Sequence, residues 1–280
     1  MDYKTVLIVG NGFDLNLGLK TSYDDFMKSK EFDDLSNNSL VDHLRKKKVS
    51  TSWIDIENEL TAYSHSIFIR EYVRDKMEQR KLRIINLRSE YQSLCSALKL
   101  YLNKCNNISG YPNNTAITAL DNALETWPTY ILTFNYTNTI ESILKDASYR
   151  EYQYKINHIH GSLSSKIVFG VEDTAKLEKD HIFLHKSYSQ NCNIQGVNLI
   201  FNSADNFIFF GYSLGQTDHS YFDDFLKAQT LPNAKKKSFI FYHYGEEAYD
   251  DLIWQLKVLT GNRLSYLKNY NDLKFINIKR

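Results

Sequence analysis

Short runs of apolar residues recur along the chain and predict buried strands. In the first run, residues 6–9 read Val-Leu-Ile-Val, which suits a strand that is covered on both faces. Between the apolar runs lie stretches with helical periodicity, and strands that alternate with helices form parallel sheets. The sequence therefore predicts an α/β fold with a doubly wound, mostly parallel, Rossmann-like sheet. Further strands are expected at residues 130–133, 152–160, 206–211, 237–243 and 273–278.

Helices are expected between these strands. The first should begin near Thr21 or Ser22, where a hydroxyl can cap it and where Asp24 and Asp25 suit its first turn. The remaining helices of the sheet are expected near residues 115–126, 137–148, 174–200, 216–229 and 246–260.

A long segment without helix breakers separates the first two strands. Residues 53–103 contain neither proline nor glycine, and apolar side chains such as Leu87, Tyr91, Leu94 and Leu98 recur at helical spacing. This segment predicts two or three helices, preceded by a loop and a short helix over the polar residues 30–48. We therefore expect one nucleotide-binding domain over residues 1–280, with a helical insertion or cap over residues 30–128. The turn-rich residues 106–114 mark a boundary within it.

Three residues near the start of this segment stand out chemically. Trp53, Asp55 and Glu57 share one face if the segment is extended, whereas only 53 and 57 share a face on a helix. The sequence alone leaves open whether these carboxylates face a cleft or only support a structural lid.

Composition narrows the class of protein. The 280 residues are 42% hydrophobic and carry a formal net charge of +1, which argues against general attraction to nucleic acid or to an anionic membrane. The three cysteines form no Cys-x-x-Cys pair, so neither a zinc site nor another metal site is expected. The N-terminus leads straight into a strand, and no apolar run approaches the ~20 residues of a membrane span. We expect a cytoplasmic protein with reduced thiols.

The most informative stretch follows the first strand. Gly10, Asn11 and Gly12 come directly after it, and glycines between a buried strand and a helix commonly present N–H groups to a phosphate. The alternative is a sharp turn without a ligand. Gly18 stands too late for the usual dinucleotide fingerprint, and Asp14 puts a carboxylate where a phosphate is expected. Asp14 could instead cap a helix or bind a ribose hydroxyl.

Polar motifs follow three further strands. They are Thr-Phe-Asn-Tyr at 133–136, His-Ile-His-Gly at 158–161 and Gly-Tyr-Ser-Leu at 211–214. Because ligands of open parallel sheets bind beyond the carboxyl ends of the strands, these motifs predict one shared cleft. Each also has a simpler interpretation, since polar residues at strand ends often form turns or cap helices. The residues concerned are Thr133, Asn135, His158, His160, Gly211 and Ser213, with Asp218 and His219 further on.

Taken together, the motifs resemble a known family. The segments IVGNGFDLNLGLKTSYDDF, TFNYTNTIE, HIHGSL and GYSLGQTDHSYF are similar to those of AbiH, the bacteriophage abortive-infection proteins. Their order also resembles that of the sirtuin-like NAD-binding fold. The sirtuin zinc module is absent, and Phe13 and Asp14 stand where sirtuins have a small residue and a serine, so a protein deacylase is not expected.

The resemblance implies that the chain binds NAD or a related nucleotide and cleaves its nicotinamide–ribose bond. His160 would then be the base, and Asn135 would hold the ribose or the attacking water. Gly10, Asn11 and Gly12 would donate to the phosphates, and Thr133, Gly211 and Ser213 would line the adenosine-phosphate part. Asp14, Asp218 and His219 would lie near the ribose or nicotinamide, without individual roles.

The resemblance further implies an antiphage effector, for which a phage-derived trigger and a homo-oligomeric form are candidate partners. One alternative is a non-catalytic nucleotide-binding sensor in phage defence. Another is an enzyme acting on nucleic acid, against which the near-neutral charge counts, although Asp24, Asp25, Asp218, Asp223 and Asp224 are potential metal ligands.

Overall fold

The computed structural model describes residues 2–50, 56–74, 77–105 and 114–278. The chain forms two compact units, each assembled from separate segments. The sheet unit comprises Met1–Leu19, Ile108–Ile159 and Asn193–Arg280, and the helical unit comprises Lys20–Asn107 and His160–Cys192. The functional division of the chain, with one domain and an insertion over residues 30–128, stays a prediction.

The sheet unit contains six parallel strands in the order β3-β2-β1-β4-β5-β6. This arrangement confirms the predicted doubly wound α/β fold. The strand order reverses between β1 and β4, and ligands of such sheets bind beyond the strand ends at this switch point. The strands are β1 Thr5–Val9, β2 Thr129–Thr133, β3 Tyr154–His158, β4 Asn206–Phe210, β5 Ser238–His243 and β6 Asp272–Asn277.

Continuous apolar runs form the central strands because both faces of the sheet are covered. Along β1, Val6 and Ile8 pack into one core and Leu7 and Val9 into the other, as the alternation of side chains along a strand requires. Helices α1, α7 and α8 cover the second core, and α9 to α12 cover the first. Their bounds, numbered in chain order, are α1 Asn11–Asn16, α7 Thr115–Glu125, α8 Thr139–Leu144, α9 Val197–Ser203, α10 Asp223–Ala228, α11 Gly245–Leu259 and α12 Leu264–Tyr270.

The register brings four strand ends to one level. Val9 pairs with both Thr133 and Phe210, and Thr133 pairs with His158. The loops that follow β1, β2, β3 and β4 therefore leave the sheet side by side. This alignment supports the expectation that their motifs share one edge.

In the helical unit, the long segment without helix breakers forms two helices, which confirms the prediction of two or three. Its helices are α2 Tyr23–Met27, α3 Lys30–Asp33, α4 Ser39–Ser50, α5 Ile56–Arg74 and α6 Met77–Cys105. Within the described residues, every helix of the chain is too short or too polar to cross a membrane.

The helix predicted to begin near Thr21 or Ser22 is confirmed as α2, because Ser22 caps it by accepting from Asp25 N at 3.0 Å, and Asp24 and Asp25 lie in its first turn. The sequence missed α1, which begins at Asn11 immediately after the turn at Gly10. The predicted helix at 174–200 is wrong over most of its length, because only α9 is α-helical there.

The segment before α9 is irregular because some of its backbone groups form hydrogen bonds with residues distant along the chain, and not with the next turn of a helix. Val171 N donates to Leu184 O, and Lys186 N donates to Val171 O, both at 2.9 Å. These bonds leave only short 3-10 turns at Lys179–Leu184 and Lys186–Tyr188. The sequence analysis also missed one helix of the sheet unit, α12.

A buried ion pair joins the irregular segment to α5. Lys186 Nζ lies 2.8 Å from Glu57 Oε2, and the two residues are 4% and 7% exposed. Ser64 Oγ and His181 Nδ1 form a second buried link at 2.8 Å. Glu57 therefore has a structural partner, whereas Trp53 and Asp55 lie outside the described residues.

Replacing Lys186 with methionine should destabilise the protein by about 3–5 kcal/mol, because the Glu57 carboxylate would remain buried without its cation. Urea unfolding measures the change. Lys28→Met removes the exposed pair with Asp24 and should change stability by less than about 1 kcal/mol. Equal effects of the two substitutions would contradict this assignment.

Candidate functional site

The turns after β1 and β4 lie in direct backbone contact. Gly10 N donates to Phe210 O at 3.1 Å, and Gly12 N donates to Gly211 O at 2.9 Å. A Cβ on Gly12 would lie 2.5 Å from Gly211 Cα, and Gly211 itself has a φ of +61°, a conformation that suits glycine. Close approach of two backbones therefore requires glycine at these positions.

This contact changes the interpretation of the glycine motif. The N–H groups of Gly10 and Gly12 were expected to donate to phosphates, but in this structure both donate to β4 and its turn. Asn11, in the first turn of α1, is exposed at this edge. A ligand here would have to be held mainly by other groups.

Asp14 points into the protein from α1. It is 1% exposed, and its Oδ2 accepts from Thr137 Oγ1 at 2.6 Å. Among the described residues, its Oδ1 has no hydrogen-bond partner. Because Asp14 lies inside α1 and binds the loop after β2, it is not the cap of that helix.

The environment of Asp14 disfavours its charge. Burial raises its pKa from 3.8 to about 6, although the neighbouring side chains of Thr137, Thr139 and Asn135 and the charge of His158 act in the opposite direction. Near neutral pH this carboxyl group can therefore both accept and release a proton.

Asn135 links the turn after β2 to the turn after β1. Its Nδ2 donates to Gly10 O at 3.1 Å, and its backbone N donates to Thr133 Oγ1 at 3.1 Å. Both side chains are buried. Thr133 thus shapes the turn that carries Asn135.

His158, at the end of β3, joins this network. Its Nδ1 lies 2.9 Å from Asn135 O and its Nε2 lies 2.6 Å from Glu141 Oε1. A carbonyl only accepts hydrogen bonds, so Nδ1 carries a proton and donates. Burial lowers the pKa of His158, but Glu141 and the Asn135 carbonyl raise it by more, so the net shift is upward. This shift favours a charged imidazolium paired with Glu141.

Five residues from the first three strand ends therefore form one connected group, which we call the strand-end cluster: Asp14, Asn135, Thr137, Glu141 and His158. The sequence predicted Asp14 and Asn135 as site residues. It left His158 as a residue that packs or assists, and it missed Thr137 and Glu141. Both missed residues lie in the TFNYTNTIE motif, which was the available signal.

His160 belongs to the helical unit. It is 4% exposed, and its carbonyl accepts from Val168 N at 2.7 Å. Its expected role as a base stays a prediction.

The loop after β4 is held by its own polar residues. Tyr212 stacks on Phe134 with ring centroids 4.2 Å apart, and its hydroxyl donates to Asp218 Oδ2 at 3.2 Å. His219 Nε2 lies 3.1 Å from Leu214 O and 2.9 Å from Gln255 Oε1. Asp218 and His219 therefore support the loop.

Ser213 is exposed in this loop. The following 3-10 helix, Gln216–Tyr221, has Gly215 at its N-cap, so Ser213 does not cap it. Its predicted contact with a nucleotide is untested.

The described residues form no candidate metal site. Across the described ranges, no three His, Cys, Asp or Glu side chains group as a metal site would require. The expectation that no metal takes part stays a prediction.

The strand order and the polar groups at its switch point define a doubly wound α/β protein with a Rossmann-type sheet. The family model for AbiH, bacteriophage abortive infection, matches residues 6–242. The chain therefore belongs to the AbiH family. A search of curated proteins finds no match.

Gly12→Ala should destabilise the protein by about 2–3 kcal/mol or more, because the new methyl group meets the backbone of Gly211. Thermal or urea unfolding reports the loss. Gly215→Ala is the matched control, since an added Cβ there meets only Ser213 Oγ, at 3.7 Å. A stable Gly12→Ala protein would show that the two turns separate readily.

Asp14→Asn should stabilise the protein most above pH 6. The pKa rise from 3.8 to about 6 makes the ionised carboxylate unfavourable in the folded state by about 3 kcal/mol. Below pH 4, Asp14 is protonated in both the folded and the unfolded protein, and this destabilisation vanishes. It grows as the pH rises from 4 to 6 and is constant above.

Urea unfolding of both proteins between pH 4 and pH 8 tests this sign. The difference in unfolding free energy between Asp14→Asn and wild type should change with pH across that window. A difference that does not vary with pH would refute the raised pKa.

Proposed function

We propose that this AbiH-family protein is an abortive-infection effector that binds NAD or a related nucleotide and hydrolyses its nicotinamide–ribose bond. The observation that carries the proposal is the strand-end cluster, which gathers a buried carboxylate, an amide and a paired histidine beside the switch point of the sheet. Doubly wound sheets bind nucleotides at this place.

The cluster fits the sugar of such a substrate. Asp14 Oδ1 is a buried acceptor without a partner among the described residues, and a ribose hydroxyl is a donor that would satisfy it. Asn135 carries an amide that both donates and accepts, so it can orient the ribose or a water molecule. Asn11 and Ser213 are exposed at this edge, and each carries a side-chain group of a type that can donate to a phosphate.

Hydrolysis makes simple demands on these residues. The bond between ribose C1′ and the pyridinium nitrogen breaks, its electron pair passes to nicotinamide, and water oxygen bonds to C1′. Nicotinamide leaves as a neutral molecule, so no acid has to protonate it. A base takes the proton of the water, and a nearby carboxylate stabilises the positive charge that develops on the ribose.

The family resemblance assigns the role of base to His160 and the positioning of the ribose or the water to Asn135. Asp14 supplies the carboxylate. The His158–Glu141 pair holds the Asn135 backbone and thereby the amide that Asn135 presents. An enzyme that consumes NAD must be inactive until infection, so a phage-derived trigger and an oligomeric form are part of the proposal.

The purified protein should release nicotinamide from NAD, with a phage lysate added where a trigger is needed. His160→Ala and Asn135→Ala should each reduce release by at least about 100-fold, because each removes a group that acts on the reacting ribose or water. Chromatography of nicotinamide measures release, and circular dichroism verifies folding. His65→Ala, which removes an exposed histidine, is the matched control.

The outcomes separate the candidate functions. Undiminished release by His160→Ala would reject His160 as the base. Tight NAD binding without release, with or without lysate, would favour the nucleotide-binding sensor instead. Folded protein that neither binds nor cleaves NAD would refute the proposal.

A further inference from the structure

The helical unit contains a groove of about 970 Å³ between α6 and residues 165–191. This volume is at the upper end of the range for small-molecule sites, so it can accommodate a ligand as large as a nucleotide. All residues that line it belong to the helical unit. The strand-end cluster contributes none of them.

The groove is positively charged. Arg88 and Lys99 project from α6 and Lys166 from the opposite wall, and none of the described residues that line it is an aspartate or a glutamate. Lys99 Nζ donates to Ser165 O at 2.5 Å, and an ammonium group has three N–H donors, so it can bind an anion as well. The whole chain is near neutral, with a net charge of +1, so this concentration of cations is local.

Aromatic rings lie beside these cations. The Arg88 guanidinium sits 4.6 Å from the centroid of the Phe183 ring and 5.9 Å from that of Tyr188. Phe183 is buried, whereas Tyr188 is 52% exposed. The two rings hold the guanidinium in place, and the exposed Tyr188 offers a flat surface on which a base can stack.

The wall of the groove is suited to binding and not to covalent chemistry. Burial raises the pKa of the Cys95 thiol to about 12, so the thiol remains protonated and is a weak nucleophile at neutral pH. The Tyr91 hydroxyl donates to Phe169 O. The Cys95 thiol is thus protonated and the Tyr91 hydroxyl is engaged.

We propose that this groove is a second ligand site, which binds a nucleoside phosphate. Arg88, Lys99 and Lys166 contact the phosphates, and Tyr188 stacks against the base. Cations alone would fit any anion, and an aromatic ring alone would fit any flat molecule. Only a ligand with both a phosphate and an aromatic base uses both features. The site gives the protein a place to sense a nucleotide independently of the strand-end cluster.

Calorimetric titration with ADP tests the proposal, with inorganic phosphate, adenosine and a ten-nucleotide single-stranded DNA as comparison probes. The Lys99→Gln, Lys166→Gln double variant should bind ADP at the groove at least about tenfold more weakly. Tyr188→Ala should weaken ADP binding but leave inorganic phosphate unaffected. Lys104→Gln is the matched control, because Lys104 lies on α6 outside the groove and pairs with Glu31.

Several outcomes would overturn the proposal. They are unchanged ADP affinity in the double variant, equal losses in Lys104→Gln, or phosphate binding as tight as ADP binding. Tighter binding of the DNA than of ADP at these residues would identify a nucleic-acid surface instead.

The test is separable from the proposed hydrolysis. ADP binding that depends on Lys99 and Lys166, in a protein that does not cleave NAD, would support this groove while rejecting the catalytic proposal. NAD cleavage that persists in the double variant, together with unchanged ADP affinity, would support the catalytic proposal while rejecting the groove as a ligand site.

Discussion

The contact between the turn after β1 and the turn after β4 is the constraint on which the sheet unit depends. Gly12 and Gly211 bring two backbones closer than any side chain would allow, and their hydrogen bond fixes how the switch point is closed. Because the turn at Gly10 is so tight, α1 starts at once and directs Asp14 inward. The inward position of the Asp14 carboxylate therefore depends on the lack of side chains at the glycines of these two turns.

A polar network extends from this contact to the next two strands. Asn135 binds the carbonyl of Gly10, Thr137 binds Asp14, and His158 binds the carbonyl of Asn135. Inside a protein such bonds are strong, but an unpaired polar atom is unfavourable, so each member depends on the others. The same bonds that define the loops thus hold the groups assigned to the chemistry.

The sequence predicted the strands well because a sheet covered on both faces needs uninterrupted apolar residues, as in residues 6–9 and 206–211. It located α2 from the cap at Ser22 but missed α1, because α1 follows Gly10 without a side-chain cap. The glycine motif was ambiguous, since close backbone packing and phosphate binding require the same residue. The Glu141–His158 pair depends on contacts between distant elements, which local patterns do not contain.

The central position of β1 has a consequence for the timing of folding. β1 is synthesised first, yet Asn206, which pairs with Thr5, follows 201 residues later. One edge of this buried strand therefore remains unpaired until β4 has been made, and such high contact order slows folding and exposes the nascent chain to aggregation. The turns after β1 and β4 cannot meet before β4 emerges from the ribosome. A chain that ends before β4 therefore lacks the contact between them.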